Sequence, residues 1–273
     1  MERARRSGPA ATVVRAGYYA RRVSDEPGRR LLQSTGFDGD DGSADPDLSA
    51  ALTAYQRGHR DRYALYSLLA GKRVLAPIVA VLGESEQAGV SAAGVALKRD
   101  KDSDMALVTL VASDGAKAVP VFTSAGKLAA WGATSGFPAA RPVPVSIEKA
   151  AAAALQEEAD ILLLDVGTDE QFELGGTALR SFASGRVPAS PDADPEVVAA
   201  LLVVLRAVPE VAQVLTSARV GAFAEGAVLE LGFTEGTDPR TLAEPLRAVA
   251  EAISADPLLR DRLGDGLSIV AAP

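Results

Sequence analysis

The chain has no cysteine and a single histidine, and these two scarcities remove more chemistry than any motif in it supplies. Without a thiol there is no disulfide, no thiolate zinc site and no cysteine nucleophile. His59 alone cannot build a multi-histidine metal centre, and it could serve a Ser-His-acid triad only from within a cleft. It stands among Arg57, Arg60, Asp61 and Arg62 at a helix-to-helix connection, where a surface histidine is expected. No apolar run reaches the roughly 18 residues of a membrane span, so no membrane insertion is expected. No G-x-G-x-x-G follows a strand and no G-x-S-x-G occurs. Gly89 and Gly94 have the spacing of a phosphate-binding loop, but Val95 stands where its lysine belongs. The acidic stretch Gly36 to Asp47 invites a calcium-loop reading that fails residue by residue. A loop opening at Asp38 puts Ser43 at the glycine position and Ser49 at the bidentate glutamate. No metal and no cofactor are therefore expected.

What is present suits a globular protein. The 273 residues are 48% hydrophobic and 23% charged, enough to bury a sizeable core in one or two domains. The formal charge of −8 argues against nucleic acid as a partner. The abundance of Ala, and of Arg over Lys, reads as the mark of a GC-rich genome. The opening segment is Arg-rich, and Arg15 interrupts its only apolar stretch, so it reads as an extension and not as a secretory signal. A cytoplasmic setting is expected.

Residues 1–47 have few periodic apolar positions and read as a disordered or loosely packed arm, with Gly36 to Asp47 a solvated linker. Leu48, Ala51, Leu52 and Tyr55 then recur at helix spacing, and a second helix from Tyr63 ends at Gly71. Val74 to Leu82 predicts a strand, at an edge or a bulge because Pro77 lacks a donor. Glu84 to Asp102 reads as a loop. Met105 to Ala112 and Ala118 to Phe122 form a hairpin around Asp114–Gly115, expected as a two-residue turn. Thr123 or Ser124 caps the next helix, Pro142 to Val145 is a strand, Ser146 caps a further helix, and Asp160 to Leu164 is a buried strand. A last helix spans Gly176 to Ala183. The proline-containing stretch from Gly185 to Ala193 marks a domain boundary, so domains are placed at 48–186 and 194–273. Asp194-Pro195 opens a helix in the second domain. Val211 to Val220 and Ala227 to Phe233 predict paired strands, Thr241 to Glu244 a capping box, and Leu267 to Ala271 a closing strand. The fold class is α/β with α+β character: a mixed sheet with helical crossovers, then a smaller α-β-β-α-β unit.

Two Ser-x-x-Lys patterns, Ser124 with Lys127 and Ser146 with Lys149, resemble the nucleophile motif of penicillin-recognising enzymes. Both serines stand where a helix needs an N-cap, and the companion motifs are missing. No catalytic residue is assigned, and the balance leans against an enzyme. Asp165 ends a buried strand, at the sheet edge where open α/β sheets bind ligands. Asp104, Asp114 and Arg141 lie at other strand ends, and Trp131 is a partner-site candidate if exposed. These five residues are the candidate ligand or partner surface.

The DSDMALVTL strand, the Asp-Gly hairpin, VPVFTS, the single Trp131 and ARPVPV before an Ala-rich helix together resemble the SseB family, the enhanced serine sensitivity protein B group. The likeness covers roughly Leu31 to Arg186 as that family's amino-terminal domain, and the remainder looks like its carboxyl-terminal domain. The resemblance implies a bacterial protein, of actinobacterial type by its composition, with no established catalytic residues. The leading expectation is a non-enzymatic cytoplasmic regulatory or protein-interaction protein with an unidentified protein partner, and a homodimer is left open. The alternative is a small-molecule-binding or hydrolytic protein using the strand-end carboxylates and Arg141. A secretion-associated role is weaker.

Overall fold

A computed structural model describes residues 19–22, 36–37, 39–59, 61–81, 104–112, 114–223 and 226–271. In chain order the first elements are β1 (Tyr19–Arg22), α1 (Pro46–Gln56), α2 (Arg62–Leu69), β2 (Arg73–Val81), β3 (Asp104–Val111) and β4 (Lys117–Val121). There follow α3 (Ala125–Ser135), β5 (Arg141–Ser146), α4 (Ile147–Gln156), β6 (Ile161–Leu164), β7 (Phe172–Gly175) and α5 (Gly176–Ala183). The remainder comprises α6 (Pro195–Ala207), α7 (Pro209–Ala212), β8 (Leu215–Phe223), β9 (Gly226–Phe233), a 3-10 turn (Pro239–Leu242), α8 (Ala243–Ala255), α9 (Pro257–Leu263) and β10 (Leu267–Ala271). The molecule is of α+β character. Among the described residues, no helix is long and apolar enough to cross a membrane.

The larger sheet runs β5-β2-β3-β4-β6-β7, with β1 paired to β3. Only β4 and β6 are parallel in it, joined by a crossover through α3, β5 and α4; its other pairs are antiparallel. The sheet curls, and Leu75 of β2 exchanges both backbone hydrogen bonds with Phe122, at 2.8 and 2.9 Å. Both faces of its middle are covered, so Ala106 through Leu110 are all buried. Leu107, Val119, Val121 and Leu162 face α1, α2, α4 and α5, while Val108, Leu110, Ala118 and Leu163 face the side of α3. That two-sided burial explains the unbroken apolar runs. Helix α4 is alanine-rich because Ala150, Ala151, Ala153 and Ala154 are all buried, which lets it lie close to its neighbours.

Prolines in the sheet have separate placements. Pro77 is in an interior strand, a correction to the edge or bulge expected. It falls between the ladder to β3, which begins at Ile78, and the Leu75–Phe122 bridge, so its missing N–H lies where β2 changes partner. Because Leu75 bonds toward Phe122, strand alternation aims the backbone of Pro144, its opposite on β5, away from β2. Pro142, opposite Pro77, is aimed the same way. The outer edge of β5 thus carries prolines where a further strand would need donors.

The smaller sheet, β10-β9-β8, pairs β8 with β9 antiparallel and β9 with β10 parallel. Here the apolar alternation is one-sided: Leu229 and Leu231 are buried and Glu230 is exposed. The buried face packs on α6, α8 and α9 through Val197, Leu201, Leu205, Val249, Ile253 and Leu259.

Several other expectations change. The Asp114–Gly115 turn is not a two-residue loop with positive φ at both positions. Gly115 N–H bonds to Ala112 O and Ala112 N–H to Ala116 O, only Gly115 (φ 91°) is left-handed, and the loop has three residues. Strand β7 and helix α9 were not anticipated, and Val211 belongs to α7. The cap before α8 is Asp238, which accepts from Arg240 N, and not Thr241. Parts of the segment read as an unpacked arm make defined contacts. Strand β1 pairs antiparallel with β3. Asp40 pairs with Arg73 at 2.8 Å, Gly42 O accepts from Ala125 N at 2.8 Å, and Asp45 caps α1 while pairing with Lys72. The Glu84 to Asp102 loop lies outside the described residues.

Candidate functional site

The carboxyl ends of the parallel pair β4 and β6 bring Thr123 and Asp165 together. Asp165 is fully buried, 0% exposed, with φ 48°, a left-handed conformation that Asp tolerates better than most residues. Its Oδ1 accepts from Thr123 N at 2.8 Å, and its Oδ2 accepts from Thr123 Oγ1 and from Lys127 Nζ, both at 2.7 Å. Lys127 is placed by its helix. Ser124 caps α3 by accepting from Lys127 N at 3.3 Å, and the lysine side chain turns back over Thr123 Oγ1 at 3.0 Å. Its ammonium also pairs with Glu170 in the β6–β7 loop. Glu170 in turn accepts from Thr53 Oγ1 of α1 at 3.1 Å. Thr168 Oγ1 donates to Asp165 O at 2.8 Å and closes the loop.

This network joins β4, β6, α3, the β6–β7 loop and α1 through one cation. Burial disfavours the Lys127 ammonium, but its hydrogen bonds to Asp165 and Glu170 outweigh that and raise its pKa above the ordinary value. At the position where an open α/β sheet would hold a ligand, this chain places its own lysine. Ser124 and Ser146 both act as caps, each accepting from the N–H three residues on. Sequence reasoning reached Lys127 only through the Ser-x-x-Lys pattern and Thr123 only as a possible helix cap, and it missed Glu170 and Thr53.

The other candidate residues do not join this cluster. Arg141 is exposed at the start of β5, and β2, β3 and β4 intervene between β5 and β6. Asp104 opens β3 opposite Val81. Asp114 is exposed in the hairpin, where it accepts from Ala116 N at 3.0 Å, at the end of β4 remote from Thr123. Trp131 is half-buried, stacked on Phe137 (5.7 Å between centroids, 12° between planes) and tilted against Phe122 (5.2 Å, 41°). Among the described residues no group of His, Cys, Asp and Glu could hold a metal ion.

Two concavities lie elsewhere. At the junction of the two sheets' units, Arg186 pairs across it with Asp261 at 2.8 Å, and Arg262 pairs within the second unit with Asp194 at 2.6 Å and with Glu196 at 3.1 Å. Asp265 caps α5 from across this junction, accepting from Thr177 N at 2.8 Å and from Thr177 Oγ1. The cavity there is about 30 Å³, enough for a water and little more. Burial of Tyr63 and Tyr66 on its wall raises both phenols' pKa values. The second concavity, about 180 Å³, is an open apolar groove between α6 and β8. Val198, Leu202, Ala218 and Val220 line it, with Asp192 and Arg219 its only charged residues. Val203 on the same helix is 66% exposed. Neither concavity is lined by Asp165 or Arg141.

No curated protein and no solved structure matches the chain. A family model does: residues 48–181, from α1 into α5, match the SseB protein N-terminal domain. Through that domain the chain belongs to the SseB family.

Proposed function

We propose that this chain is a non-enzymatic, cytoplasmic protein-binding protein with a regulatory role. The observation that carries the reading is the open apolar groove between α6 and β8, lined by Val198, Leu202, Ala218 and Val220. An open apolar groove costs solubility and is retained where a partner covers it. The state of the strand-end groups supports the same reading. Asp165 gives its oxygens to Thr123 and Lys127, and Ser124 and Ser146 give theirs to helix ends, so none is poised toward an accessible substrate. Affinity capture from the native cell, with the wild type and Leu202→Asp compared, tests it. Proteins held by the wild type and lost by the variant are expected. An identical retained set, or a captured small molecule held equally by both forms, would overturn the reading.

A further inference from the structure

The groove beside β8 is bordered by an unguarded sheet edge. β8 is nine residues long and contains neither proline nor lysine, whereas the β5 edge carries Pro142 and Pro144 and the β7 edge is four residues short. Among the described residues its backbone pairs on one side only, with β9. Gly221, in the middle of β8, has no intramolecular reason to be glycine. Its φ is not positive, and a Cβ built there meets nothing within 4 Å. A glycine within a strand weakens it, and it commonly marks the close approach of another chain.

We infer that the occupant of this edge is a second copy of the chain, its β8 paired antiparallel with this β8 about a two-fold axis through Val220. The inference rests on the protein-binding reading above and names its partner. The register follows from the side chains. Ala218, Val220 and Ala222 share the face that bears the groove, and Arg219 and Gly221 share the other, since Val220 pairs with buried Leu229 and Arg219 with exposed Glu230. With Val220 opposite Val220, Ala218 meets Ala222 and the groove-side apolar row continues unbroken into the second copy. On the other face Arg219 of each copy falls opposite Gly221 of the other. No like charges are directly opposed, and the bare glycine leaves the guanidinium room to lie across the sheet toward Glu230. Centring the pair on Arg219 would instead set two guanidinium groups face to face. The same axis brings the α6 helices together beneath the strands, covering Val198 and Leu202. The result is a continuous six-stranded sheet with a self-complementary interface.

Sedimentation velocity of the full-length protein over a wide concentration series tests this, with circular dichroism confirming that each variant is folded. The wild type is expected to approach twice the monomer mass as concentration rises. Gly221→Arg puts like charges opposite one another twice and should weaken association by about tenfold or more, while Gly221→Glu should tighten it. Leu202→Asp should weaken it independently of register. A wild type that stays monomeric throughout overturns the second copy as partner. If Leu202→Asp then still abolishes capture of a different protein, the protein-binding reading survives; if it does not, both fall. A dimer indifferent to the charge at position 221 overturns this interface.

Discussion

Lys127 answers two carboxylates at once, one of them fully buried, and removal of its ammonium leaves Asp165 without a countercharge. Lys127→Ala should cost about 3 kcal/mol, the scale for orphaning one member of a buried pair. Lys127→Met with Asp165→Asn should cost less than the single substitution, because the uncompensated charge is gone. Chemical denaturation of the three forms measures this, and equal losses would show that the network does not act as a unit. The pH dependence has a definite sign. The lysine's pKa is raised, so its contribution is fully present below the ordinary value of 10.5 and is lost as pH climbs through the higher folded value. Asp45 behaves oppositely. The hydrogen bond from Lys72 lowers its pKa, so its contribution is present above 3.8 and fades as pH falls through the folded value. Thermal midpoints across pH should decline at both ends, and Lys127→Met should flatten the alkaline decline only.

At the scale of elements, several caps are legible in the sequence and partners are not. Ser124, Ser146, Asp194 and the break at Gly71 act within four residues of chain, so residue type and spacing suffice to place them. Strand β7 has only four residues, two of them buried, and offers too short an alternation to recognise. Helix α9 has seven, and its Asp256-Pro257 start repeats the signal of Asp194-Pro195 directly after the end of α8. At the hairpin, Gly115→Val should destabilise by about 1–3 kcal/mol because Gly115 alone carries the left-handed conformation. An unchanged denaturation midpoint would mean the turn can re-form without it. On β5, Pro142→Val with Pro144→Val restores two outward donors. The doubly substituted protein should associate or aggregate at concentrations where the parent does not, as light scattering would reveal. An unchanged scattering profile would show that something other than proline protects that edge.

At the scale of the molecule, the two sheets' units are joined by the Arg186–Asp261 ion pair and by a borrowed cap. Helix α5 begins at Gly175–Gly176 with no capping side chain of its own, and Asp265 supplies the carboxylate from beyond α9. Gly176 has φ 54°, and a Cβ there would stand 2.1 Å from Asp265 Oδ1, so that glycine admits the approach. Asp265→Ala should cost about 0.5–2 kcal/mol, the worth of an N-cap, and should speed amide exchange in the first turn of α5. Exchange confined to the last strand would show that the two units are held by other contacts.

The sequence by itself determined the family, the α+β class, most element positions and several helix caps, because each depends on groups within a few residues of one another. It also excluded cysteine chemistry outright, since composition alone settles that. Only the tertiary structure decided that Asp165 is closed by Lys127, that Arg141 and Asp114 stand apart from it, and that a groove opens between α6 and β8. Those relations join residues tens of positions apart: Lys127 and Asp165 are separated by 38, and Thr53 and Glu170 by 117. Strand order and helix packing set such distances, and neither is written in local periodicity. A carboxylate at a strand end reads the same whether it faces a ligand or a lysine from its own chain, and the difference lies in which helix folds over it.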